Sequence, residues 1–285
     1  MSGKLFRNFS FLSATLAFFI LVGIFAILYH YSLDAIKEFG FWDFIKTATW
    51  EVGEDDEGGV FGGLIPIVGT LLATFIAMVV ATPIAMGIAV FLTEVAPDFL
   101  IKPVSISIEL LAAIPSIIYG MWGLFYFAPI IQSIFGGSGI GLLTAGLVLA
   151  IMIIPFMSSI TKDSMNTTPD ILKESAYAMG ATKFEVVKDI VMPYSKVGII
   201  GSIILALGRA LGETMAVAFL IGSVMQLPSK LTDSTTSIPV LLANNFAEAE
   251  DLELSSMFYL ALILFVISFI IISTAKFYFL GRKQR

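Results

Sequence analysis

The sequence alternates between long apolar runs and shorter polar segments. Each run is about as long as the roughly 20 apolar residues that an α-helix needs to cross a bilayer, and charged side chains are rare within the runs. This pattern predicts an all-α membrane protein with six transmembrane helices. The six apolar runs cover residues 9–31, 63–92, 104–131, 139–160, 197–225 and 255–279.

The distribution of basic residues predicts the direction of the six spans. An even number of spans places both ends of the chain on one side, together with the connections that follow spans two and four. Those segments carry twelve lysines and arginines, whereas the segments on the other side carry three. Because cytoplasmic loops are enriched in lysine and arginine, both termini are predicted to be cytoplasmic. The three segments predicted to face outward are 32–62, 132–138 and 226–254.

The same pattern divides the chain into three regions. Residues 1–62 are predicted to hold the first transmembrane helix and an outer acidic loop, which contains the acidic run 54–57. Residues 63–280 form the core, with a long cytoplasmic connection at 161–196, and residues 281–285 form a basic cytoplasmic tail. Since 58% of the residues are hydrophobic and 13% are charged, little of the chain remains for a soluble domain.

Composition and missing motifs exclude several classes of site. The chain has no cysteine and a single histidine, which excludes disulfides and a histidine-rich metal site, so no metal site is predicted. It also lacks the Gly-x-x-x-x-Gly-Lys-Ser/Thr loop that binds nucleotide phosphates and the Gly-x-Gly-x-x-Gly dinucleotide fingerprint. We therefore expect no cofactor on this chain, no enzyme activity and no nucleic-acid partner, and any ATP hydrolysis is expected on another polypeptide.

The connection 161–196, called the coupling loop below, is predicted to form two short helices. Thr168 is placed to cap the first helix, and Gly180 sits where a residue in the left-handed conformation ends a helix. Thr182 and Glu185 have the spacing of a capping box at the start of the second helix. The loop is therefore expected to be ordered.

Two charged residues stand inside the fifth apolar run. Arg209 lies about 18 Å from the start of that run in a hydrocarbon core about 30 Å thick, and in a continuous helix Glu213 would share its face. An arginine at this depth costs about 2.5 kcal/mol or more and normally faces a bundle interior or an aqueous path. The sequence predicts a functional site here.

Two interpretations of this pair stay open. Arg209 and Glu213 either neutralise each other, or Arg209 offers bidentate donors to an oxyanion while Glu213 holds the guanidinium or accepts a hydrogen bond from a protonated ligand oxygen. The second interpretation favours phosphate over sulfate, because only phosphate keeps a P–OH group near neutral pH. Gly208 and Gly212 form a G-x-x-x-G step that is predicted to let another helix approach closely.

Two motifs resemble those of a known transporter family. The run E-S-A-x-x-x-G from Glu174 to Gly180, followed by I-V-M-P at 190–193, resembles the E-A-A…G…I-x-L-P loop of ABC-importer permeases. The run A-L-G-R-A-L-G-E-T-M-A-V at 206–217 is similar to the signature of phosphate-importer permeases of the PstC type. The resemblance covers about 60–280.

The resemblance implies a type I ABC-importer permease fold in a bacterial or archaeal cytoplasmic (inner) membrane. It implies an ATP-driven phosphate importer in which this chain forms half of the path, moves phosphate by alternating access, and has Arg209 and Glu213 in the translocation path. The implied partners are a homologous PstA-type permease subunit, an external phosphate-binding protein and two copies of a cytoplasmic ABC ATPase, which uses ATP and Mg. The residues implied to dock into the ATPase are Glu174, Ala176, Tyr177, Gly180 and Ala181.

Other functions stay open at this point. Within the same class, the chain is compatible with a permease for sulfate or molybdate, or with the sister PstA-type subunit. In a different class, an ion-coupled secondary transporter would use Arg209 and Glu213 as an ion relay. A regulatory membrane scaffold would sense phosphate without moving it.

Overall fold

The computed structural model describes residues 2–53 and 59–280, and most of these residues are helical. The predicted acidic run 54–57 and the predicted basic tail 281–285 lie outside the described residues. The helices and strands in chain order are α1 (Ser2–Tyr31), α2 (Leu33–Lys46), β1 (Trp50–Glu51), β2 (Val60–Phe61), α3 (Leu64–Val90), α4 (Asp98–Ala112), α5 (Ser116–Trp122), α6 (Ala128–Phe135), α7 (Leu142–Met165), α8 (Asp170–Ala178), α9 (Lys183–Glu185), α10 (Met192–Tyr194), α11 (Lys196–Leu211), α12 (Met215–Ala218), α13 (Ile238–Asn245) and α14 (Asp251–Leu280). Turns of π-helix occupy Phe91–Val95, Gly123–Phe127 and Val186–Val191.

Among the described residues, five helical stretches are long and apolar enough to cross a bilayer. A sixth candidate contains α11, which meets the coupling-loop helices over Lys183–Tyr194 at a bend of 71° and reaches the required length and hydropathy only together with them. The predicted helical membrane fold is therefore confirmed, apart from the two-residue strands β1 and β2, with five candidate spans, or six with this bent pair. The direction of the spans stays a prediction. The five straight candidates are Leu5–Tyr31, Leu64–Val95, Ser116–Phe135, Leu142–Met165 and Asp251–Phe277.

The third span begins later than its apolar run predicts. The run 104–131 is divided by Pro115, which has an extended backbone (φ −57°, ψ 139°) at the start of α5. Proline has no N–H to donate and disfavours helical geometry in the residue before it, so α4 ends at Ala112. Glu109 consequently lies on α4, outside the span, where its side chain is 62% exposed and 4.0 Å from Lys162 Nζ.

The described chain divides into two compact units. One unit combines residues 2–64 with 241–267, and the other combines 65–240 with 268–280.

In the first unit, hydrogen bonds tie the start of α14 to the corner between α1 and α2. The Ser255 hydroxyl accepts a hydrogen bond from the Ala35 amide at 3.0 Å and donates one to the Tyr31 carbonyl at 2.8 Å. The indole N–H of Trp50, in the β1–β2 hairpin, donates to Glu253 Oε1 at 3.1 Å. These contacts fix the hairpin and the corner to one helix.

In the second unit, α3 and α7 pack closely through small residues. Alanines at every fourth position of α3 fall on one helical face, and a stripe of small side chains allows close approach of another helix. The Cα of Gly146 on α7 leaves no room for a side chain, because a Cβ there would lie 2.7 Å from Ile76 Cγ2. The fully or nearly buried alanines of α3 are Ala73, Ala77, Ala81, Ala85 and Ala89. Three of them join the core around Leu149 and Met152 of α7.

Because the chain contains no cysteine, single introduced thiols test the direction of the spans. The Met179 side chain in the coupling loop is 86% exposed, and Gln226 is exposed in a segment predicted to face outward. Met179→Cys is expected to react with a membrane-impermeant thiol reagent only in inside-out vesicles, and Gln226→Cys only in right-side-out vesicles. Labelling is measured by mass spectrometry against the cysteine-free protein, and the opposite pattern would reverse the predicted direction.

Candidate functional site

The helix that carries Arg209 ends two residues later. α11 stops at Leu211, and Gly212 follows with φ −98° and ψ 3°, outside helical geometry. The amide of Glu213 makes only a long bond of 3.5 Å to the carbonyl three residues before it. The apolar run 197–225, predicted as the fifth span, is therefore not one continuous helix. Glycine is among the poorest helix formers, which favours an end at this position.

Glu213 lies just before the next short helix, α12, instead of continuing α11. Its Oε1 accepts a hydrogen bond from the Ala216 amide at 3.2 Å, which satisfies one of the N–H groups left free at the start of α12. The turn at Gly212 moves Glu213 away from the position one helical turn beyond Arg209. The expectation that the two charged residues share one helical face is therefore wrong.

Arg209 has no carboxylate partner among the ion pairs of the described residues. Its guanidinium carbon lies 5.7 Å from the centroid of the Phe156 ring, within the range of a cation–π contact. The side chain is partly exposed. In this conformation Glu213 does not neutralise Arg209 by direct contact, so the guanidinium keeps N–H donors for another acceptor.

A small cleft of about 10 Å³, with room for about one water molecule, lies beside Glu213. Three hydroxyl-bearing residues line it, Thr70, Thr74 and Ser237, and all three are buried. The Thr70 hydroxyl donates to a backbone carbonyl at 2.7 Å, whereas Ser237 Oγ has no hydrogen-bond partner within the described part of the chain. A buried hydroxyl without a partner costs about 1–3 kcal/mol. Ser237 therefore offers an unused hydrogen-bonding group in the wall that contains Glu213.

The sequence pattern did not identify Ser237. It was assigned to the outer segment 226–254, but Thr235, Thr236 and Ser237 are at most 3% exposed. This segment folds back against α3, where a Cβ on Gly69 would clash with the Thr236 carbonyl oxygen. The sequence signal that could have identified Ser237 is the run of four consecutive hydroxyl-bearing residues, 234–237, just before an apolar stretch.

The break after α11 exposes polar backbone within a predicted span. Gly212 is exposed, and Arg209 and Glu213 are partly exposed. Non-helical backbone at membrane depth is tolerated only where protein buries it or where it lines a water-filled cavity. Since the described residues leave Gly212 exposed, the break faces either an aqueous path or another subunit.

The two glycines of the G-x-x-x-G step have different surroundings. A Cβ on Gly208 would lie 3.3 Å from Ile272 Cδ1, so this glycine admits a close side-chain contact. Gly212 follows the helix end, and a Cβ there would meet only the Gly208 carbonyl oxygen among the described residues, at an ordinary contact distance of 3.8 Å. Close packing at Gly212 therefore stays a prediction about contact with another chain.

The first helix of the coupling loop, α8, ends in a Schellman motif. Gly180 has φ +88°, its amide donates to the Tyr177 carbonyl at 2.9 Å, and the Ala181 amide donates to the Ala176 carbonyl at 3.0 Å. These two bonds satisfy carbonyls at the helix end, which confirms the predicted left-handed glycine. Thr168 does not cap α8, because the helix starts after Pro169 without a side-chain cap and the Thr168 hydroxyl is buried without a partner in the described chain.

The second helix of the coupling loop begins with the predicted capping box. The Thr182 amide donates to Glu185 Oε2 at 2.7 Å, and the Glu185 amide donates to Thr182 Oγ1 at 3.4 Å. The backbone and hydroxyl hydrogen bonds from Thr182 lower the pKa of Glu185. The box therefore keeps its negative charge at neutral pH.

The corner between the two loop helices presents apolar side chains to the outside. Met179 is 86% exposed and Phe184 is 73% exposed, while Tyr177 and Glu174 are also exposed. Ala176, in contrast, is buried and anchors the corner. Large apolar side chains fixed on a rigid, exposed corner are typical of a surface that another protein covers.

The sequence is similar to known membrane transport components. A family model described as binding-protein-dependent transport system inner membrane component matches residues 58–285. The phosphate transport system permease protein PstC of Pasteurella multocida is 46% identical over 292 residues, which cover 95% of this chain and 90% of that protein. The protein of the same name from Haemophilus influenzae is 45% identical over 293 residues, which cover 96% of this chain and 91% of that protein.

The fold is similar to that of solved ABC transporters. A bacterial ABC transporter involved in the import of the acidic polysaccharide alginate matches with a TM-score of 0.65 at 14% identity, over 98% of this chain and 96% of that chain. At this identity the similarity concerns the fold alone. It confirms the predicted ABC-importer permease fold.

The Schellman motif predicts a cost for any side chain at Gly180. An L-residue at φ +88° is strained by about 1–2 kcal/mol, so Gly180→Ala is expected to raise the hydrogen-exchange rate of the 176–182 amides roughly 5- to 30-fold. The measurement is exchange mass spectrometry of the purified protein. Gly201→Ala is the matched control, because Gly201 lies within α11 with open space beside it. Unchanged exchange in Gly180→Ala would show that the motif does not hold the corner.

Proposed function

The chain belongs to the family of binding-protein-dependent transport system inner membrane components, and we propose that it is the permease subunit of an ATP-driven phosphate importer. The observation that carries the proposal is Arg209, which has no carboxylate partner among the described ion pairs and lies beside the break in the fifth span. Relatives at 45–46% identity over more than nine-tenths of this chain are phosphate transport system permeases.

Arg209 has the chemistry that an oxyanion path requires. Its guanidinium is always charged and presents planar pairs of N–H donors that match two oxygens of a tetrahedral anion. The Phe156 ring on one side holds the guanidinium without neutralising its charge. A permanent cation near the middle of a bilayer lowers the barrier that the low-dielectric core sets for an anion.

Glu213 and Ser237 supply the complementary groups. A carboxylate accepts a hydrogen bond from a P–OH group and repels a fully deprotonated anion, while a hydroxyl donates to or accepts from the same ligand. Both residues line one cleft, and Ser237 Oγ has no partner among the described atoms. The cleft in this conformation is small, so passage of phosphate requires the spans to move apart, as alternating access demands.

The coupling loop supplies the connection to ATP hydrolysis. The family is binding-protein-dependent, so the transporter includes an external binding protein and an ATPase that uses ATP and Mg. The exposed apolar corner at Met179 and Phe184 fits a groove on that ATPase, with Glu174 and Tyr177 at its rim. In the complete importer this chain pairs with a homologous PstA-type permease, two ATPase copies and a phosphate-binding protein, with the loop on the cytoplasmic side.

Loss of the Arg209 guanidinium is expected to stop transport. In proteoliposomes that hold the complete transporter, Arg209→Gln lowers ATP-driven phosphate uptake roughly 10- to 100-fold, because charged hydrogen bonds contribute about 1.5–3 kcal/mol. Arg209→Lys keeps the charge but loses the planar pair of donors, so it recovers only part of the rate. Lys196→Gln, which removes an exposed cation from the first residue of the same helix, serves as the control. Normal uptake by Arg209→Gln would remove this residue from the mechanism.

Glu213 is expected to set selectivity among oxyanions. Glu213→Gln removes the negative charge that disfavours sulfate, so the ratio of phosphate to sulfate uptake falls about tenfold. Glu109→Gln, at an exposed carboxylate outside the spans, is expected to leave the ratio unchanged. Uptake of both anions is measured on the same vesicles, and an unchanged ratio in Glu213→Gln contradicts the assignment.

A further inference from the structure

A buried ion pair joins the coupling loop to the end of the second span. Lys173 Nζ lies 2.6 Å from Glu94 Oε1, and the two side chains are 17% and 7% exposed. The pair between Lys37 and Asp34, in contrast, is 72% and 77% exposed, and such surface pairs contribute little. Removing one partner of a buried pair leaves the other charge buried and unpaired, so the Lys173–Glu94 contact resists separation.

The two partners occupy elements with different roles. Lys173 lies on α8, directly before Glu174 and within two turns of Met179. Glu94 lies in the π-helical turn Phe91–Val95, which ends the second span. One end of the pair is thus fixed to the surface proposed to meet the ATPase, and the other end is fixed to a membrane helix.

The surrounding contacts are apolar and small. One buried cluster brings together Ala89 of α3, Met165 of α7, Ala176 of α8, Val186 and Val191 of the loop, and Ile199 of α11. Van der Waals contacts of this kind are not directional, so they hold the loop against the span ends without fixing its register. A short charge-assisted hydrogen bond fixes both distance and direction.

The second span leads from this pair to the cleft beside Glu213. α3 carries Thr70 and Thr74 in the cleft wall, while the π-helical turn with Glu94 directly follows its last residue. A helix transmits an axial displacement along its length, and Pro83 inside α3 gives it a point at which to bend. Movement of the loop therefore reaches the cleft wall through one continuous element.

We infer that the Lys173–Glu94 ion pair is the positioning contact that transmits movement of the coupling loop to the second span. The inference rests on the proposed function, because it requires an ATPase that moves the loop. Lys173 and Glu94 touch neither substrate nor nucleotide in this account. They act by holding α8 and the second span in register.

The test compares transport with ATP hydrolysis in the complete transporter reconstituted in proteoliposomes. Lys173→Met and Glu94→Gln are each expected to lower the amount of phosphate imported per ATP hydrolysed at least about fivefold, while hydrolysis continues. The reversed pair, Lys173→Glu with Glu94→Lys, is expected to recover about half or more of the wild-type ratio, because the contact is restored. A purely local role in folding would alter the yield of the complex and leave this ratio unchanged.

Controls separate the possible failures. Lys188→Met removes an exposed lysine from the same loop and is expected to keep the wild-type ratio. If the single variants do not assemble, Lys173→Arg is expected to assemble and couple normally, and the reversed pair is expected to assemble and recover about half or more of the wild-type ratio. Normal coupling in the single variants, or no recovery in the reversed pair, overturns the inference. If the wild-type complex shows no ATP-driven phosphate uptake, the proposed function fails instead. If that complex imports another oxyanion, the amount of that oxyanion imported per ATP hydrolysed then tests the role of the ion pair.

Discussion

The hydrocarbon core of the membrane penalises unpaired charge and non-helical backbone, and in the second unit both penalties bear on the end of α11. Most of its interior consists of closely packed apolar helices, with small residues on α3 allowing close approach to α7. This packing is interrupted at Gly212, where α11 ends within a predicted span. Two residues before the last residue of that helix, Arg209 lacks a carboxylate partner among the described ion pairs. A helix break and a charged side chain at membrane depth are tolerated where they contact water, a ligand or another subunit.

Hydropathy and local motifs predicted much of this architecture, because both depend on short stretches of sequence. The apolar runs identified the spans, since crossing a bilayer requires a fixed length of apolar helix. The left-handed Gly180 and the Thr182–Glu185 capping box were predicted because each depends on hydrogen bonds between near neighbours.

The errors arise where tertiary structure decides. Hydropathy alone does not reveal that Pro115 divides its run or that α11 ends at Leu211, because the average hydropathy that defines a run stays high across both breaks. The role of Ser237 depends on a segment folding back against α3, which no local pattern encodes. The Lys173–Glu94 pair likewise joins residues 79 positions apart in the chain. The second span carries the buried Thr70 and Thr74 hydroxyls of the cleft near one end and the buried Glu94 carboxylate near the other.

The central claim is that the break after α11 faces an aqueous anion path, and a thiol at the break tests it most directly. Gly212 is exposed and has a backbone conformation open to other residues, and the chain has no other cysteine to interfere. In the complete transporter, Gly212→Cys is predicted to react with a charged, membrane-impermeant thiol reagent during ATP turnover, and phosphate is predicted to slow that reaction. Failure to react with or without ATP, or a rate unaffected by phosphate, would contradict the account.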